Sequence, residues 1–202
     1  MDKKSTYLAL GDSYTIGEAV LLQQSFPYQV IQYLREKGHS FTAAEIIAKT
    51  GWTTDELWAG INTHRFLPKY DFVSLLIGVN NQYRGRSIIE YTTDFEKLLE
   101  KALSLVDNKK EHVIVLSIPD YSVTPFSKEK DREKISKEID IFNTANRALA
   151  TQYKVHYVEI TEGSREAVSD PTLIAEDGLH PSGKEYQKWA EKVAALIEKQ
   201  LK

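Results

Sequence analysis

Short apolar runs alternate with longer amphipathic segments along this chain, and that rhythm admits few folds. Strands separated by helix-length connections imply βαβ units and a parallel sheet. Residues 7–10, 72–77 and 113–118 are nearly continuously apolar, as a strand covered by helices on both faces must be. Residues 41–48 and 155–160 alternate only in part and suit the edges of the sheet. Between them lie helical patterns. Ser87 and Glu90 have capping-box spacing, and Tyr91, Phe95, Leu98, Leu99, Ala102 and Val106 continue one apolar face. Residues 27–37 read as a helix with Val30, Ile31 and Leu34 inward, stopped by Gly38. Residues 128–152 read as a long helix that begins in a charge run and gains Ile135, Ile139, Phe142 and Leu149. A last helix follows Pro181, with Tyr186, Trp189, Val193, Leu196 and Ile197 inward. Five parallel strands covered on both sides make a three-layer α/β/α sandwich. No repeat, low-complexity stretch or Gly/Ser linker divides the 202 residues, so one domain over 1–202 is expected.

Composition narrows the function. The 26 Lys and Arg stand against 29 Asp and Glu, a formal net charge of −3, which argues against a nucleic-acid binder. No apolar run approaches the roughly 20 residues of a membrane-spanning helix. The first residues, Met1 to Thr6, lack the apolar stretch of a signal peptide, so a cytoplasmic location is the expectation. With no cysteine there is no disulfide, no thiolate nucleophile and no Cys-based metal site.

In a doubly wound sheet, chemistry lies at the carboxyl ends of the strands. The first strand runs into Gly11-Asp12-Ser13, a serine behind a glycine that lets the backbone turn sharply. A phosphate loop is excluded, because Gly11 and Gly17 enclose five residues and Glu18 follows. Nor is this the Gly-x-Ser-x-Gly elbow, since Thr15 holds the last glycine position. Ser13 is therefore either a nucleophile or a cap for the next helix. Asp177 stands three residues before His180, a spacing at which a carboxylate can accept the imidazole Nδ1–H and leave Nε2 as a base. His39, His64, His112 and His156 form no competing set and read as structural or exposed. The third strand ends in Gly78-Val79-Asn80-Asn81, where an amide side chain can donate to a developing oxyanion. Gly51, beyond the second strand, offers an accessible backbone N–H.

These blocks, in this order, resemble the SGNH hydrolases, the GDSL family of esterases and lipases. Gly11-Asp12-Ser13 matches the first block, Gly51 the second, Gly78-Val79-Asn80-Asn81 the third, and Asp177-Gly178-Leu179-His180-Pro181 the last. Tyr14 stands where the family's name has leucine, and Asn81 where many members have Asp. The resemblance implies a flavodoxin-like fold and a serine mechanism that uses no metal and no cofactor. It makes Ser13 the nucleophile, His180 the base and Asp177 its orienter, with Ser13, Gly51 and Asn80 forming the oxyanion hole. The expected substrate is a small-molecule carboxylic ester of small or lipid-derived acyl groups, lysophospholipid or thioester included. A carbohydrate O-acetylesterase is the alternative, and an inactive binding module on the same fold is a third reading. Tyr14, Trp52, Tyr83 and Arg84 are candidate substrate contacts, the aromatics to stack on a sugar and Arg84 to meet an anionic headgroup. About 200 residues leave little room for a lid, so an open site is expected.

Overall fold

The computed structural model describes residues 4–201. Strands β1 (Tyr7–Asp12), β2 (Glu45–Lys49), β3 (Phe72–Leu76), β4 (Val113–Leu116) and β5 (His156–Val158) form one parallel sheet, ordered β2-β1-β3-β4-β5. Every residue of β1, β3 and β4 is buried, which is why their sequences show no alternation. The partly alternating segments supply the two edges. The strand expected over 41–48 is shorter and later: Phe41 makes an isolated bridge to Ser5, and continuous pairing begins at Glu45.

The helices are α1 (Ser13–Ile16), α2 (Phe26–Glu36), α3 (Thr54–Thr63), α4 (Val79–Tyr83), α5 (Ile88–Ser104), α6 (Arg132–Tyr153), α7 (Thr161–Arg165) and α8 (Gly183–Gln200). The crossover through α2 steps from β1 to β2, while those through α3, α5 and α6 step the other way. Right-handed crossovers then put α2 on one face and the other three on the opposite face. Packing agrees, with α2 against α8 and α5 against both α3 and α6. No helix of the described residues is long and apolar enough to cross a membrane.

Local signals explain most boundaries. Ser87 Oγ accepts from the Glu90 N–H at 3.1 Å and starts α5. The long helix begins at Arg132, not 128, because the Asp131 carboxylate accepts from the Lys134 N–H at 3.0 Å and caps it there. The residues before it, Pro125–Ser127, form a separate single turn. Gly11 also departs from expectation. It lies inside β1 in a conformation open to any residue, and its role is close approach. A Cβ there would sit 2.1 Å from Thr15 Oγ1 and 2.3 Å from the Leu76 carbonyl oxygen. Strand order reverses between β1 and β3, and their carboxyl ends open the crevice where this class of sheet binds ligands.

Candidate active site

Ser13 opens α1 directly beyond β1 and is buried. It is not the cap of that helix: Asp12 is, its Oδ1 accepting from the Tyr14 N–H at 3.0 Å. The Ser13 hydroxyl instead meets His180 Nε2 at 3.0 Å. His180 Nδ1 lies 2.6 Å from Asp177 Oδ2, and Asp177 Oδ1 accepts from the Leu179 and His180 N–H groups, each at 3.0 Å. Burial by itself would raise the Asp177 pKa. The hydrogen bonds from the His180 ring and the two backbone N–H groups outweigh it and hold the carboxyl below its ordinary value. An ionised Asp177 only accepts, so Nδ1 carries the proton and Nε2 is the acceptor for the serine hydroxyl.

Asn80, on α4 beyond β3, points its amide into the same crevice. Its Nδ2 donates to the Trp52 carbonyl at 3.0 Å and approaches Asp12 Oδ2 at 3.4 Å. Asp12 is fully buried, and burial pushes its pKa up to about 7 against the hydrogen bonds from Tyr14 and Asn80. Gly51 turns the chain after β2 at φ +82, a left-handed conformation that favours glycine. Asn81 is buried: its Oδ1 accepts from the Thr54 N–H at 3.1 Å, and its Nδ2 donates to Thr54 Oγ1 at 2.8 Å. The amide in place of the commoner acid therefore still ties α4 to the start of α3.

A cavity of about 110 Å³ opens beside Ser13 and His180, walled by Tyr14, Val79, Tyr83, Tyr121, Phe126 and Leu179. Of the four candidate substrate contacts, Tyr14 and Tyr83 line it. The Tyr14 ring lies 5.0 Å from the His180 ring. Trp52 and Arg84 do not line it. The Trp52 indole covers Gly60 of α3, where a Cβ would come within 2.3 Å of the ring. The Arg84 guanidinium is spent on the Gly51 carbonyl at 2.6 Å and on Glu56 at 3.2 Å, so it braces the Gly51 turn. Sequence reasoning missed Tyr121 and Phe126. They follow the interior strand β4, and that position beyond its carboxyl end is their only signal in the sequence. The remaining histidines sit outside the crevice. His112 stacks on Phe72 at 4.6 Å, and His64 bonds Glu45 at 2.9 Å.

A sequence model of the GDSL-like lipase/acylhydrolase family matches residues 9–188. No curated protein matches the chain. Among solved structures, the chain is similar to TesA, with a TM-score of 0.75 and 19% identity over 96% of this chain and 98% of that one. It is similar to a lipase/acylhydrolase from Enterococcus faecalis, TM-score 0.76 and 16% identity, covering 97% of this chain and 96% of the other. It is also similar to Axe2, an acetylxylan esterase from Geobacillus stearothermophilus, TM-score 0.73 and 19% identity over 98% and 96% of the two chains. At these identities the neighbours establish the shared fold, and the family match spans all four motif blocks. The chain belongs to the GDSL-like lipase/acylhydrolase family and is an ester hydrolase of the SGNH type.

Proposed function

We propose that the chain hydrolyses carboxylic esters of short acyl groups through an acyl-enzyme on Ser13. The observation that carries this reading is the unbroken hydrogen-bond chain from Asp177 through His180 to Ser13. Ser13 Oγ attacks the ester carbonyl as His180 Nε2 takes its proton, and Asp177 stabilises the imidazolium. The N–H groups of Ser13 and Gly51 and the Asn80 amide hold the tetrahedral oxyanion. An oxyanion there competes for the Asn80 hydrogen that faces Asp12 only at 3.4 Å, while Trp52 keeps the amide oriented. Collapse expels the alcohol with the proton from His180. Water, activated by the same base, then releases the acid and restores Ser13.

Cavity size supports the short acyl group. An apolar cavity of about 150 Å³ accommodates benzene, and the space beside Ser13 is about 110 Å³. The O-acetylesterase reading stays in view for the same reason, with the half-exposed Tyr83 and Phe126 rings available to stack on a sugar. The test is turnover of p-nitrophenyl acetate together with labelling by a p-nitrophenyl phosphonate. Ser13→Ala should lower kcat by about 10⁴-fold or more and abolish the mass adduct, with the circular dichroism spectrum unchanged. Retained turnover, or an adduct on another residue, would remove Ser13 as nucleophile. Extending the acyl series beyond butyryl should lower kcat/KM.

A further inference from the structure

The wall of the cavity beside Ser13 is also the wall of a second space. Tyr83 and Phe126 line both, their ring centroids 5.9 Å apart, and on the far side lies an open basin bounded by Pro125, Lys128, Glu129 and Lys130. Lys130 reaches over these two rings, its Nζ 5.2 Å from the Tyr83 centroid and 5.0 Å from that of Phe126. The charge run that opens the long helix expected over 128–152 is thus divided. Lys134 and Lys137 pair with Glu138 and Glu133 on α6, whereas Lys128 and Lys130 lie before its first turn and form no ion pair among the described residues. Two ammonium groups against one carboxylate leave the basin with a net positive charge. The side chain given the anion-binding part by sequence, Arg84, is occupied by Gly51 and Glu56.

Resting on the ester-hydrolase reading above, we propose that the preferred ester carries an anionic group, phosphate or carboxylate, on the part that leads from Ser13 along Tyr83 and Phe126. Lys130 determines that preference. The aromatic pair covers the apolar stretch of the substrate, and the ammonium, already held at the rim by the ring faces, meets the charge beyond it. An ammonium on a flexible stem suits a phosphate or carboxylate that arrives with varied geometry.

The test compares kcat/KM for three esters: neutral p-nitrophenyl acetate, the p-nitrophenyl hemiester of glutaric acid, and the acetate ester of glycerol 3-phosphate. The second bears its charge on the acyl side and the third on the alcohol side, so the pair also reports which half of the ester lies along the rings. For Lys130→Glu the ratio of anionic to neutral kcat/KM should fall at least tenfold in one of the two arms. Lys37→Glu, the same charge change at the C-cap of α2 on a lysine held over Tyr33, should leave both ratios in place. Unchanged ratios for Lys130→Glu, or an equal fall in Lys37→Glu, would overturn the assignment while leaving a Ser13-dependent esterase intact. Absence of Ser13-dependent turnover of any of the three would overturn the esterase reading, and this proposal with it.

Discussion

Asp12 is fully buried one residue before Ser13, where its carboxyl caps α1 and faces the Asn80 amide. Its pKa of about 7 couples pH to stability in a definite direction. The unfolded chain ionises this carboxyl near 3.9, whereas the folded chain keeps its proton to about 7. Between those values the folded state binds more protons, so its stability falls as pH rises, by up to about 1.4 kcal/mol per pH unit from this one group. Asp12→Asn removes that contribution. The variant's stability relative to the parent should therefore rise between pH 5 and pH 8 in urea unfolding, and a difference independent of pH would show Asp12 ionised throughout. Residues with distinctive chemistry were legible in sequence: Ser13, Asn80, Asp177 and His180 each sit in a short motif, and the fold gathers them in one crevice. The cavity wall was less so. Tyr121 and Phe126 are aromatics like many others in the chain, and only tertiary placement tells a wall from a core. Arg84 shows the converse, a side chain near the site in sequence whose charge the fold spends on Gly51 and Glu56.

At the scale of elements, the site depends on how closely β1, β3 and α1 approach. Gly11 is the contact point, since a Cβ would collide with the Leu76 carbonyl of β3 and with Thr15 of α1. Backbone cannot yield as a flexible side chain can. Gly11→Ala should cost at least about 1–3 kcal/mol, the range for overpacking a filled interior. It should also lower kcat, because the strand that must move leads directly into Ser13. Full activity with unchanged unfolding would contradict the close packing. Which strands lie inside the sheet and which helix faces are buried were readable because buried parallel strands are continuously apolar and helices keep their 3.6-residue period. Boundaries were harder. Charged residues 128–131 satisfy a helical pattern, but the Asp131 cap sets the start of α6. The helix α3 carries the same kind of signal as α5, a box at Thr53 and Glu56 in which the Thr53 N–H donates to the Glu56 carboxylate at 2.9 Å.

Across the whole molecule, the tryptophans report on both helix layers. Trp189 is buried on α8, while Trp52 and Trp58 pack partly buried beside and on α3. If the sheet and both layers form one cooperative unit, tryptophan fluorescence and far-ultraviolet circular dichroism should give coincident urea transitions. Separated midpoints would reveal two units. One more consequence follows from the hydrogen bond between Ser13 and His180, which joins residues 167 positions apart. Ser13 is made before His180, and four of the five strands lie between them in sequence. The proposed triad therefore cannot assemble on a growing polypeptide until residue 180 has been made and the intervening sheet has brought it back to residue 13. If Ser13 and His180 act as proposed, ester turnover reports that this long-range closure has formed.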